Sequence, residues 1–286
     1  MELLQLTYFC DAAETENFSL TARKYRVPTS NISQTIKRLE TELGTELFSR
    51  RKNQIFLNEQ GRLFYQGARA ALDTLEDTRL QLRDAQGAVS GEVRILALTN
   101  RRIVVQTIER FKADYPGVSF VLSHSHGARQ DDFDIIIADA GFQAEHHTRQ
   151  TLISEDICLA VRAGHRLAEA DVVQLGDLRE ERFITMSAGT SLHAITHQLC
   201  RSAGFLPEIA IETDDPYYVR KYVEMGLGVA FIPALSWKGQ LSGELVLKPL
   251  RPTVQRDTCI FLPMDRYLPR PATLFTQMLR ETATTY

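Results

Sequence analysis

The sequence predicts an α/β protein in two parts: a small all-α N-terminal unit closed by a short β wing, then a larger α/β unit. Three observations predict it. Through residue 43 the apolar side chains recur at helical spacing. From Asn58 to Gly87 a helical pattern runs without a proline. Beyond Gly91, short β-branched runs alternate with helical segments, the pattern of a mainly parallel sheet. The 286 residues suffice for two domains, and 44% hydrophobic with 24% charged residues is the balance of an ordinary globular chain.

Composition also excludes some classes. No apolar run approaches the roughly 18 residues of a membrane span. The N-terminus, MELLQLTYFCDAAETENF, carries acids and no basic leader, so a cytoplasmic location is expected and no membrane partner. Cys10, Cys158, Cys200 and Cys259 are far apart, which fits neither a disulfide framework nor a zinc site. Buried thiols are the expectation. His193 and His197 sit one helical turn apart, and His124/His126 and His146/His147 form close pairs. No cysteine or glutamate completes a metal set, so neither metal nor cofactor is expected.

Leu3, Leu6, Phe9, Cys10 and Ala13 predict a first helix over 2–13. Ser19 is the expected N-cap of a second, 19–25, turning Ala22 and Tyr25 inward and ended by Val27–Pro28. Thr29 or Ser30 is expected to cap a third helix, stopped near Leu43 by Gly44 in the left-handed conformation. Its apolar side is Ile32, Ile36, Leu39 and Leu43, whereas Asn31, Ser33, Gln34, Lys37 and Arg38 face away. A merely solvated face would usually carry Glu/Lys pairs. Short amides, hydroxyls and basic residues instead suit a groove of DNA. Two short helices with a tight turn and such a second helix form a helix-turn-helix.

In LFSRRKNQIFLN, apolar pairs flank a basic turn, which predicts a wing setting Arg50, Arg51 and Lys52 against phosphates or a minor groove. Between Phe18 and Asn58, eight basic residues oppose Glu40, Glu42 and Glu46, although the whole chain carries −3. This local field favours a polyanion. Base contacts are expected from Thr29, Ser30, Asn31, Ser33 and Gln34, and backbone contacts from Lys37 and Arg38.

Asn58 caps the long helix. Phe64, Ala68, Ala71, Leu75, Thr78, Leu82 and Ala85 follow in alternating steps of four and three, a heptad seam for pairing with a second copy. A core helix within one domain is the alternative. The expected divisions are 1–58, 59–87 and 88–286.

In the α/β unit, Thr99–Asn100 and Ser187-Ala188-Gly189-Thr190-Ser191 each precede a helix, where free N–H groups and hydroxyls make anion sites; ordinary capping is the alternative. Arg101 and Arg102 would favour an anion or lie on the helix surface. A nucleophile elbow, Walker loop, dinucleotide fingerprint and paired-acid motif are all missing, and MGLGVA precedes a strand instead of following one, which argues against an enzyme.

The stretch FSLTARKYRVPTSNISQTIKRLETELGTELFSRRKNQIFLNEQG, 18–61, resembles the LysR-type transcriptional regulators. The match lies in Ile32-Ser33-x-x-Ile36-x-x-Leu39-Glu40-x-x-Leu43-Gly44-x-x-Leu47-Phe48-x-Arg50 and in Leu57-x-x-x-Gly61. FKADYPGVSFVL, AVRAGHRLA, GFLPEIAIET and GLGVAFIP extend a looser likeness along the chain. The resemblance implies an effector domain with the periplasmic-binding-protein fold: two α/β subdomains, 91–154 with 253–286 and 155–252, two crossover strands and a small-molecule cleft. By that likeness the cleft takes Thr99, Asn100, Asp139, Ser187, Gly189, Thr190, Ser191, Thr213, Asp214 and Ile232. The implied partners are double-stranded DNA, a small effector, a second copy in a homodimer or homotetramer, and RNA polymerase. Two departures stand out. Pro28-Thr29-Ser30 replaces the family's usual Ser-Gln-Pro, and only SHSHGARQDDF lies between Ser123 and Asp134, where the family usually has a helix.

Overall fold

The structure, a computed structural model, describes residues 1–286 except Lys52, Asn53, Ala88, Ser242 and Tyr286, and leaves the side chains of Arg50 and Arg51 undescribed. Two compact units emerge, Met1–Gly87 and Ala88–Tyr286.

The first unit contains α1 (Leu3–Thr15), α2 (Phe18–Tyr25), α3 (Thr29–Leu43), the strands β1 (Phe48–Arg51) and β2 (Gln54–Leu57), and α4 (Glu59–Ala85). Leu6, Phe9, Ile32, Ile36, Leu39, Leu47 and Phe48 form its buried core. Local capping corrects two helix starts. Asn17, not Ser19, caps α2: its Oδ1 accepts from Ser19 N at 2.9 Å and Leu20 N at 3.1 Å. At α3 neither Thr29 nor Ser30 is the cap. Pro28 takes that place with φ −59°, and both hydroxyl residues lie inside the first turn. Pro28 does not end α2 either, because Arg26 already turns left-handed at φ 55°. Gly44 closes α3 at φ 69°.

Glu40 ties α3 to the wing, its Oε1 accepting from Leu47 N at 2.8 Å and Phe48 N at 3.2 Å. β1 and β2 pair antiparallel, from Phe48 opposite Leu57 to Arg51 opposite Gln54. Asn58 caps α4 through Gly61 N at 2.7 Å. Gly61 has no alternative there, since a Cβ would lie 2.2 Å from the Leu47 carbonyl oxygen. Of the heptad positions, Ala68 is buried and Phe64 packs on Phe9 with ring centroids 5.2 Å apart, so both serve this unit's core. Ala71, Leu75 and Leu82 are exposed.

The second unit has two lobes sharing one long strand. In lobe I, β3 (Gly91–Ala97) pairs parallel with β4 (Val118–Ser123) and β5 (Ile135–Asp139), with α5 (Arg101–Asp114) and α8 (Arg270–Thr284) packed on it. In lobe II, β8 (Arg182–Met186) pairs parallel with β9 (Glu208–Thr213), beside α6 (Ser191–Ser202) and α7 (Pro216–Glu224). The shared strand is β6, His147–Arg162. Its His147–Asp156 half pairs with β12 (Gln255–Pro263), and its Ile157–Arg162 half with β10 (Ala230–Pro233) and β11 (Leu245–Arg251). Strand β7 (Val173–Gln174) adds to β11 in parallel.

All pairings of β6 are antiparallel, as is β5 with β12. The sheet is therefore mixed, not mainly parallel. The sequence pattern marked only 156–162 of this strand, because its start, His147–Thr151, carries no apolar residue to set a period. Between Ser123 and Asp134 only one 3-10 turn forms, Gln130–Asp132. Each lobe has its own core, around Ile95, Phe111, Ile135 and Phe275 in lobe I and around Phe183, Val219, Val223 and Phe231 in lobe II. Among the described residues, no helix is long and apolar enough to cross a membrane.

Candidate functional site

Helix α3 is built as a two-sided element. Ile32, Ile36 and Leu39 are at most 2% exposed and fix the helix on its unit. Thr29, Ser30, Asn31, Gln34, Lys37 and Arg38 are exposed opposite them, with Ser33 half-buried at the margin. Gln34, Lys37, Arg38, Thr41 and Glu42 border a shallow hollow of about 430 Å³. Not every basic residue nearby is free for a ligand, because Lys24 is ion-paired with the buried Asp11. Arg50 and Arg51 lie on β1 and their side chains fall outside the described residues, as does Lys52 altogether.

The second site is a cleft of about 590 Å³ in the α/β unit. Thr99, Asn100, Asp139, Ser187, Thr190, Ser191 and Asp214 all line it, together with Arg101 and Arg102. Three expected residues do not. Ile232 is fully buried on β10, paired with Cys158 across β6 in the lobe II core. Gly189 makes the turn into α6 at φ 89°, and Thr213 spends its carbonyl on Ser187 N at 2.9 Å. Both shape the wall without lining the space.

The two helix entrances differ. At α6, ordinary capping accounts for Thr190, whose Oγ1 accepts from His193 N at 3.3 Å and donates to Ser187 O at 2.8 Å. At α5, Asn100 is left-handed at φ 43° and makes no side-chain cap bond to the helix. Thr99 is buried with no hydrogen-bond partner for Oγ1 among the described residues.

Sequence reasoning missed Arg220, Ser236, Trp237 and Arg256, which also line the cleft. Arg256 on β12 donates from Nη2 to Glu155 Oε1 at 2.7 Å and to Ser236 Oγ at 2.9 Å. Its Nε lies 3.5 Å from Asp139 Oδ1 in an ion pair without a hydrogen bond. Glu155, 1% exposed on β6, also accepts from Leu235 N at 3.0 Å, Ser236 N at 2.7 Å and Ser236 Oγ at 2.6 Å. Arg102 of lobe I reaches the same loop, with Nη1 donating to Leu235 O at 3.0 Å.

Arg220 is different. On α7 it is 7% exposed, its guanidinium lies 5.1 Å from the Trp237 ring centroid, and Nη1 has no acceptor among the described residues. Burial holds its pKa below the usual guanidinium value, against the pull of Asp215 and Glu224. One signal was readable: Arg220 falls between Val219 and Val223 on the buried side of α7, where a charge has no packing role.

Among the described residues there is no group of three or more His, Cys, Asp or Glu that could hold a metal ion. The His193 and His197 rings stand 4.5 Å apart. All four cysteines are free thiols; Cys10, Cys200 and Cys259 are buried as expected but Cys158 is only half-buried, and burial pushes the Cys10 and Cys200 thiols up to about 11.

Comparison with known proteins gives this arrangement its place. The family "Bacterial regulatory helix-turn-helix protein, lysR family" matches residues 3–62, and "LysR substrate binding domain" matches 86–284. The chain is 33% identical over 242 residues to the HTH-type transcriptional regulator ShiR of Corynebacterium glutamicum, covering 80% of this chain and 82% of that protein. It is 29% identical to the transcriptional dual regulator GltC of Bacillus subtilis, covering 94% of this chain and 93% of that one. Among solved structures, a full-length OxyR variant from Pseudomonas aeruginosa superposes with a TM-score of 0.73 at 19% identity, covering 99% and 94% of the two chains. The LysR family regulator CbnR shares the fold with a TM-score of 0.63 at 19% identity, covering 99% of each chain. With a two-sided helix ahead of a two-lobed cleft and both family domains matched, the chain belongs to the LysR family and is a DNA-binding transcriptional regulator, not an enzyme.

Proposed function

We propose that the exposed face of α3 reads an operator and that a small anionic metabolite in the interlobe cleft modulates that binding. Asn31 and Gln34 carry base discrimination, because amide side chains bond adenine edges bidentately. Thr29, Ser30 and Ser33 make shorter contacts. Lys37, Arg38 and the wing residues Arg50, Arg51 and Lys52 hold phosphates. CbnR has been solved in complex with its target DNA, which supports this docking for a chain of the same fold.

The observation that carries the effector reading is the cation set of the cleft. Arg101, Arg102, Arg220 and Arg256 line it, and Arg220 is buried without an ion-pair partner among the described residues. A buried unpaired charge is costly, and an anion entering the cleft offsets that cost. A ligand that binds one lobe arrangement better than another shifts the population towards it. Two copies paired along α4 through Ala71, Leu75 and Leu82 present two reading heads to a site of approximate dyad symmetry. A tetramer and a contact with RNA polymerase extend the same scheme, in the cytoplasm where the operator lies.

The test is titration of the full-length protein into labelled duplex from upstream of its own gene, beside an unrelated duplex, at two salt concentrations. Tight binding to the upstream duplex alone, falling steeply with salt, is expected. No binding to either duplex at low salt would sink the reading.

A further inference from the structure

Both lobes of the cleft carry buried polar atoms without a hydrogen-bond partner among the described residues. On lobe II, Arg220 Nη1 is a buried cationic donor without an acceptor among the described residues. Trp237 covers the face of that guanidinium at 5.1 Å. A ring over the face satisfies the charge in part but accepts none of the N–H bonds, which lie in the guanidinium plane. On lobe I, Thr99 Oγ1 is buried without a partner, and Asp139 Oδ1 is a buried acceptor whose neighbour Arg256 Nε makes it no hydrogen bond. Two other cations of the wall are held in part by protein acceptors, Arg102 Nη1 on Leu235 O and Arg256 Nη2 on Glu155 and Ser236, while Arg256 Nε makes no hydrogen bond among the described residues.

We propose that the effector is a small dipolar carboxylate whose carboxylate binds Arg220 on lobe II while a hydroxyl or ammonium group elsewhere on it donates to Asp139 and Thr99 on lobe I. This rests on the reading of the cleft as the effector site and narrows it to hydroxycarboxylates and amino acids. A carboxylate beside a guanidinium edge forms the short, charge-assisted bonds that neutral acceptors do not. Asp139 accepts only, so a second carboxylate at that end is repelled and a donor is favoured. Such a ligand spans the cleft and engages both lobes at once.

Trp237 is the sole tryptophan of the chain, so its emission reports directly on the neighbourhood of Arg220. The full-length protein is screened at millimolar concentrations against matched sets of plain carboxylates, hydroxycarboxylates, α-amino acids, polyols and amines, reading tryptophan emission and melting temperature together. Saturable binding is expected from hydroxycarboxylates or amino acids only, with the analogue lacking the donor roughly tenfold weaker. For the best probe, R220Q should weaken binding roughly 30-fold, with R220K recovering part of it. D139N and T99V should each weaken it several-fold.

Saturable binding of a polyol or amine, equal binding of a plain carboxylate, an undiminished R220Q, or no binding by any member would each overturn the proposal. Should R220Q fail to fold, R220K, D139N and T99V carry the question. Operator titrations with each binder separate this failure from that of the broader reading. A neutral binder that shifts operator affinity overturns the dipolar ligand and leaves the regulator intact, whereas no shift with any compound removes both.

Discussion

The face of α3 and the wall of the cleft solve recognition in opposite ways. On α3 the functional side chains are the exposed ones, and the buried Ile32, Ile36 and Leu39 only hold them up. In the cleft several candidates are themselves buried, Thr99, Arg220, Ser236 and Arg256 from distant segments, with the buried Glu155 behind Arg256. The first arrangement tolerates polar substitution, because each exposed group keeps its water. The second is a coupled polar interior, where one deletion strands its partners.

That contrast predicts a ranking of mutational effects. Glu155→Ala leaves Arg256 buried beside a lost carboxylate and should cost about 3–5 kcal/mol, measured by denaturant unfolding of the full chain. Operator contacts on α3 should survive it wherever the N-terminal unit stays folded. Leu39→Ala should cost about 3 kcal/mol by opening a cavity under the reading helix. It should abolish operator binding near its lowered melting point while small-molecule binding persists. Equal losses of both activities in either variant would break the comparison.

Cys10 and Cys200 sharpen it by placing one thiol raised to about 11 in each unit. The unfolded thiol ionises near its ordinary value of 9.0, whereas the folded one stays protonated to about 11, so the unfolded state binds fewer protons between these values. Stability should be intact below pH 9 and fall as pH rises towards 11, by on the order of 2 kcal/mol for each thiol. Replacing Cys10 or Cys200 by Ala should flatten that limb for its own unit in pH-dependent melts.

On the exposed face the effects are smaller and more selective. Asn31→Ala and Gln34→Ala should each cost about 1–3 kcal/mol on the operator and little on unrelated duplex. Lys37→Ala should weaken both duplexes alike and lower the salt slope by about one. A K37A variant that lost specificity instead would place Lys37 on a base edge.

Legibility in the sequence follows the same division. The two-sidedness of α3, the Gly44 stop and the Asn58 cap are local in sequence, and the structure keeps all three. The start of α2 slipped because Asn17 and Ser19 are both good caps, and only the observed bonds to Asn17 choose between them. The start of β6, His147–Thr151, was invisible because it carries no apolar residue to set a period. Helix entrances following strands marked Thr99, Ser187 and Thr190 as cleft residues, and the family likeness marked Asp139 and Asp214. Arg220 left one readable signal, its place between Val219 and Val223, whereas the Glu155–Arg256–Ser236 cluster was not legible, since charges buried in tertiary contact carry no spacing of their own.

The shared strand β6 has a mechanical consequence. Hydrogen-bonded along one half to β12 and along the other to β10 and β11, it acts as a spar common to both lobes. Sliding one lobe past the other would shear a ladder, whereas twisting the spar near Asp156 and Ile157, where its partners change, loads only the bonds at that junction, Ile157 N to Val254 O and Ala234 N to Asp156 O. Rotation about that junction is thereby the motion of the lobes that breaks the fewest strand pairings, and it is the coordinate on which a ligand in the cleft would act.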